Sequence, residues 1–193
     1  MLHNIYKLRN WNINIIIGEN MGKRFFVCIF FVLSTIICFG QIDIDKIRSD
    51  YSVAVKDKKL CENNLKTLES GAKTATEQGY LAAYEILWAK HKNNPFTKLS
   101  QFKKGKNRLE SVISKNKDNI DLHFIRWSVQ THAPSFLDYH KDRLVDKNFL
   151  VQNLKKLPSQ EGKKIIFKYL KEANSYLKGD HVFTKDELAE LSK

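Results

Sequence analysis

The chain has 193 residues, with 42% hydrophobic and 28% charged side chains and only three Pro. Such a composition excludes a disordered or low-complexity protein and suits one globular domain. With 33 Lys+Arg against 21 Asp+Glu the formal charge is +12.

The first forty residues read separately from the rest. Lys23 and Arg24 form a short positive region, and Phe25 to Phe39 follow as an uncharged apolar run ending at Cys38-Phe39-Gly40. That three-part layout is expected of a secretory signal peptide over 21–40, cleaved before Gln41. The run falls short of the ~20 residues that cross a bilayer core comfortably, so no stable span is expected after cleavage; an uncleaved anchor is the alternative. Neither Cys28 nor Cys38 stands in a lipobox. Signal peptides begin close to their positive charges, which makes Met21 the natural start. Residues 1–20 are then expected to be a mis-called upstream extension, and Gly18-Glu19-Asn20 fits translation of a purine-rich ribosome-binding stretch. The expected destination is the periplasm or the medium.

Cleavage leaves residues 41–193 as a single domain, large enough to bury about 70% of its unfolded-chain surface. Losing Lys7, Arg9, Lys23, Arg24 and Glu19 changes 33 and 21 to 29 and 20, a net charge of +9. In an exported protein that excess points to anionic lipid headgroups, acidic envelope polysaccharide or an acidic protein partner, and away from nucleic acid. Scattered lysines that simply keep the protein soluble are the plainer reading. Cys61 stands alone in this part of the chain, so neither an intramolecular disulfide nor a cysteine zinc site is expected, and its spacing from Leu65 and Leu68 suits a helix's apolar face.

Apolar residues recur at helical spacing nearly throughout, and the expected fold class is all-α, with seven to eight helices in antiparallel hairpins. The first helix is expected over 43–56 through Ile44, Ile47, Tyr51 and Ala54, and the second over 58–69 through Cys61, Leu65 and Leu68. Ser70-Gly71 breaks the chain, and Thr74 with Glu77 forms a capping box. The third helix is amphipathic through Tyr80, Ala83, Tyr84, Leu87, Trp88 and His91, ending at Asn93-Asn94-Pro95. The fourth, over 97–115, turns Leu99, Phe102, Leu109, Val112 and Ile113 inward, with Gly105 on the same face for close approach of a neighbour. A fifth, over 119–132, is apolar on most sides through Leu122, Phe124, Ile125, Trp127 and Val129, which places it centrally. A sixth is expected over 139–157 with Val145, Phe149, Leu150, Leu154 and Leu157 inward. The seventh, over 160–178, turns Ile165, Ile166, Tyr169, Leu170, Ala173 and Leu177 inward. Thr184 and Glu187 then open a short last helix through a second capping box.

The stretches Asn94-Pro95-Phe96-Thr97-Lys98-Leu99, Phe102-Lys103-Lys104-Gly105-Lys106, Asn119-Ile120-Asp121-Leu122-His123-Phe124-Ile125-Arg126 and Ala133-Pro134-Ser135-Phe136-Leu137 resemble a family of small exported bacterial proteins without an assigned function. The likeness is specific over about 94–150 and implies an exported helical domain with no catalytic residues to carry over. The junction from Leu109-x-x-Val112-Ile113 through Asn116-x-Asp118-Asn119 is similar to a tetratricopeptide hairpin, although the repeat's Trp-Leu-Gly-Tyr pattern and 34-residue period are absent.

No nucleophile elbow, phosphate loop, dinucleotide fingerprint or His-Glu-x-x-His run is present. No catalytic residue, metal set or cofactor is therefore expected. The candidate binding residues are His123, Arg126 and Gln130, a polar stripe at i, i+3 and i+7 on the apolar fifth helix. Arg126 has the planar fork that suits a carboxylate or phosphate. A stripe that faces water or satisfies neighbouring helix ends is the structural reading. The alternative to a binding module is a small periplasmic enzyme with a cleft around His123, Arg126 and His140. Against a metal there, consecutive residues of Asp138-Tyr139-His140-Lys141-Asp142-Arg143 diverge on a helix, and His132 adds no spacing that converges. His91 reads as a core-edge or capping histidine. Lys164, Lys168 and Lys171, with Lys155 and Lys156 nearby, form a basic stripe without aromatics, a poor fit to single-stranded nucleic acid. The expected function is a non-covalent binding or scaffold module of the cell envelope, acting on an envelope protein or acidic polymer.

Overall fold

The structure is a computed structural model that describes residues 41–179 and 182–193. The expected upstream extension and signal peptide, with Cys28 and Cys38, lie outside the described residues.

Eight α-helices, and no strand, occur among the described residues, in one compact domain. They are α1 (Ile44–Ala54), α2 (Lys58–Gly71), α3 (Ala75–Lys90), α4 (Pro95–Lys115), α5 (Ile120–His132), α6 (Arg143–Asn153), α7 (Gln160–Asn174) and α8 (Lys185–Leu191). Short 3-10 turns at Ser135–Leu137 and Leu154–Lys156 bracket α6. The starts are set by side chains that accept orphan backbone N–H groups: Asp43, Asp57, Thr74, Asn94, Asn119, Ser159 and Thr184. Thr74/Glu77 and Thr184/Glu187 are complete capping boxes. Proline at the first position of α4 needs no N–H there, so Pro95 opens a helix in addition to ending the one before it.

Successive helices from α1 to α6 pack on one another, α3 against α4 most extensively, while α3 also touches α1 and α5, α1 returns against α7 and α6 packs on α8. The centre is formed by α3 and α5. Every residue of α5 from Ile120 to Gln130 is buried, and so is every residue of α3 from Gly79 to Leu87. Thus α3, expected to be amphipathic, is enclosed nearly all round. Its contact with α4 is close because an added Cβ at Gly105 would lie 2.7 Å from the Ala82 carbonyl oxygen and 2.7 Å from Ile86 Cγ1. Tyr51 from α1 stands edge-on to Tyr80, Tyr84 and Phe124 and stacks on Tyr169 at 6.0 Å, joining α1, α3, α5 and α7 in one aromatic cluster.

Three expectations change. The sixth helix is shorter than 139–157, since Asp138 in the left-handed region (φ 45°) ends the first 3-10 turn and α6 begins only at Arg143. The seventh stops at Asn174 rather than 178. Leu99 and Val145, expected inward, are 37% and 60% exposed. Among the described residues no helix is long and apolar enough to cross a membrane.

Candidate functional site

The polar stripe on α5 is buried, and α6 is what buries it. Asp146 of α6, itself fully buried, accepts from Arg126 Nε at 2.8 Å and Nη2 at 2.7 Å, a side-on fork. His123 Nδ1 lies 2.6 Å from the same carboxylate, its Nε2 lies 2.7 Å from the Lys117 carbonyl oxygen, and its ring stacks on Phe149 at 3.7 Å. Both ring nitrogens thus face acceptors. Gln130 Nε2 donates to Asp142 Oδ2 at 3.1 Å while its Oε1 accepts from the Asp142 N–H at 2.9 Å. The remaining Arg126 nitrogen, Nη1, lies 3.4 Å from Glu110 and 4.0 Å from Asp142. Burial alone works against the Arg126 cation; the Asp146 carboxylate outweighs it and holds the guanidinium above its ordinary value.

Two of the three candidate residues, His123 and Arg126, therefore meet on one carboxylate of their own chain, while Gln130 pairs with Asp142 instead. Every nitrogen of the Arg126 fork has an internal partner, so an outside carboxylate or phosphate would have to displace Asp146. His140, the third member of the enzyme alternative, stays outside this group: its exposed ring lies 3.8 Å from Asp138, and only its backbone carbonyl accepts from Arg143. His132 is exposed and donates from Nδ1 to the Ser128 carbonyl oxygen, and His91 donates from Nε2 to Ala54. Among the described residues no group of three or more His, Cys, Asp or Glu side chains is placed to hold a metal ion.

Two further buried carboxylates repeat the arrangement. Glu85 on α3 receives Arg108 Nε at 2.9 Å and Nη2 at 3.2 Å, with Lys104 Nζ at 2.8 Å, all from α4. Asp121 on α5 receives Arg48 Nε and Nη2 from α1, each at 2.7 Å, and the Tyr80 hydroxyl at 3.2 Å. Arg48 Nη1 also pairs with Asp45, whose second oxygen accepts from Ser159 Oγ at the start of α7. Sequence reasoning missed this pattern. Its signal was an acidic residue beside apolar ones, as in Tyr84-Glu85-Ile86, Ile120-Asp121-Leu122 and Val145-Asp146, since an unpaired carboxylate is almost never fully buried.

Cys61 is buried, and burial pushes its thiol up to about 12, which leaves little thiolate to react. Two hollows open to solvent lie away from the stripe. One of ≈ 700 Å³ is lined by Ser52, Val53, Lys56 and Asp57 among others, and one of ≈ 270 Å³ by Gln78, Ser111 and Asn116 among others. Neither gathers the side chains of a catalytic constellation.

No family, curated protein or solved structure matches the chain.

Proposed function

We propose that the protein is an exported helical module that works by non-covalent contact with an acidic partner in the cell envelope. The helices would form antiparallel hairpins, which their short connections favour. The observation that carries the reading is where the charges lie. Glu85, Asp121 and Asp146 are withdrawn into the core on Arg108, Arg48 and Arg126, so the polar groups best suited to chemistry are committed to holding helices together. What faces outward is an excess of lysine, and long-range attraction to acidic polymers or surfaces follows from such an excess.

The test has two parts. The N-terminus of the protein from fractionated cells, read by mass spectrometry, should begin at Gln41 in the envelope or the medium. The same material should be retained on immobilised dextran sulfate and polyglutamate at low ionic strength and released as salt is raised, because exposed charges are screened within a Debye length. A cytosolic chain beginning at Met1 or Met21 would reject the location. Failure to bind either polymer in dilute buffer would reject the acidic partner.

A further inference from the structure

The start of α4 stands off the body of the domain. Each residue from 93 to 100 is exposed, whereas the same helix enters the core at Phe102 and Gly105. The projection is ordered by its own cap: Asn94 Oδ1 accepts from the Phe96 N–H at 2.8 Å, and Thr97 Oγ1 donates to the Asn94 carbonyl oxygen at 2.8 Å. On it sit Phe96 at 83% exposure and Leu99 at 37%. Phe96, Leu99 and Lys103 follow at i, i+3 and i+7, one stripe of the helix.

A second exposed aromatic belongs to the same region. Tyr139 packs edge-on against Phe102 at 6.1 Å and carries Lys106 Nζ 4.8 Å over its ring, so the loop ahead of α6 lies along this side of α4. Phe136 is three residues before Tyr139, within about 11 Å by chain reach, and is 81% exposed. Single exposed apolar side chains are ordinary; two on one stripe of a helix, with a third on the adjoining loop, are the mark of an interaction surface.

The exposed charge on the projection itself is basic, although Asp138 lies two residues from Phe136 and Glu85 takes Lys104 and Arg108. Between Glu85 and Glu110 the chain carries Lys90, Lys92, Lys98, Lys103, Lys104, Lys106 and Arg108 and no Asp or Glu. Exposed Lys98 and Lys103 flank the two apolar residues of the projection. Neither of the two hollows described above lies at this face. A peptide is held by a groove or a sheet edge. A lipid bilayer interface, by contrast, accepts a protruding apolar wedge ringed by cations.

We propose that this projection, with Phe96 and Leu99 on it and Phe136 on the loop that runs along the same helix, is the face by which the protein docks on an anionic lipid bilayer. The apolar side chains enter the headgroup boundary and the lysines meet lipid phosphates, each lysine near the surface adding roughly fivefold in affinity. The inference rests on the reading that the protein acts on an acidic partner, and it names lipid as that partner.

The experiment is flotation with vesicles of phosphatidylcholine alone and of phosphatidylcholine with phosphatidylglycerol, using the protein as recovered from expressing cells. Wild type should float with the anionic vesicles and far less with the neutral ones. Phe96→Ser/Leu99→Ser, at exposed positions, should keep the melting temperature and lose roughly tenfold or more of the anionic binding, and Phe136→Ser should lose part of it. Equal flotation on both vesicle types, or undiminished binding by the double variant, would overturn the proposal. Retention on dextran sulfate without flotation would overturn lipid as the partner while the broader reading stands. Absence of both would overturn the two together.

Discussion

At the scale of single residues, Arg126 shows how a side chain suited to recognition becomes part of the scaffold. Its fork takes both oxygens of Asp146 in a place where a lone carboxylate would be strongly destabilising. Removing the cation therefore costs more than removing the pair. Arg126→Met should lower stability by about 3–5 kcal/mol, and Arg126→Met/Asp146→Leu should recover a large part of that, measured by urea denaturation. Equal losses in the single and double variants would mean that the buried charge is not what matters. Arg126→Lys belongs between wild type and Met, because an ammonium supplies the charge without the planar fork. The stripe of His123, Arg126 and Gln130 was legible in the sequence; its direction was not. Its partner Asp146 lies twenty residues further on, in a helix whose expected register turned Val145 inward. Leu150, Leu154 and Leu157 are buried as that register required; only at its first turn does a fully buried aspartate take the place expected for the valine.

For the elements, the local signals were the readable ones. Both capping boxes, the stop after α3 and the apolar α5 are written in short windows of sequence, and the helices stand near where the spacing put them. What periodicity cannot give is the extent of enclosure. The spacing of Tyr80, Ala83, Tyr84, Leu87 and Trp88 left α3 with an opposite face expected to be wet, and Lys104 and Arg108, from the next helix, allow Glu85 on α3 to be buried. Leu99 failed for the opposite reason, since α4 runs past the body that would have covered it. Gly105 tests the α3–α4 contact directly. Alanine there gains up to about 1 kcal/mol of helix propensity yet drives a methyl group into the Ala82 carbonyl and Ile86. Overpacking of this kind costs about 1–3 kcal/mol, so Gly105→Ala should be destabilising on balance, by up to about 2 kcal/mol after the full propensity gain, in a thermal or chemical melt. A stabilised variant would show that the two helices can part without loss. The capping boxes make a separate prediction about acid. Burial pushes the Glu77 and Glu187 carboxyls up, but the backbone N–H groups of Thr74 and Lys73, and of Thr184, outweigh it and hold both below their ordinary value. A depressed folded-state value contributes stability above the unfolded carboxylate range, near pH 4.3, and loses it as pH falls further. Amide exchange at the starts of α3 and α8 should therefore quicken below about pH 4, ahead of α5; uniform exchange along the chain would contradict it.

Across the whole molecule, the ion pairs distribute cohesion unevenly between the two ends of the described chain. α1 is bound on three sides: Arg48 to Asp121 in the central α5, Asp45 to Ser159 at the head of α7, and Tyr51 at the middle of the aromatic cluster. Asn64 extends the same region by donating to both Asp50 and Tyr84, whose hydroxyl in turn donates to the Ile47 carbonyl oxygen. α8 is held mainly by Lys147 to Glu187, by Lys155 to Glu190 and by the Phe183 ring against Trp127. Deletions of the first and the last helix should consequently differ. Removing α1, residues 44–54, strands the Asp121 carboxylate in the core and opens the aromatic cluster, a loss larger than the 5–15 kcal/mol that holds a domain of this size together. Removing α8, residues 185–191, uncovers Leu191 and the Lys147 ammonium at the periphery and leaves all three arginine forks in place. The first variant should show no cooperative thermal transition by circular dichroism, and the second should melt cooperatively at a lower temperature. A cooperative melt without α1 would mean that the long-range pairs from the first helix are dispensable. Loss of the transition without α8 would place the decisive contacts at the C-terminal end instead.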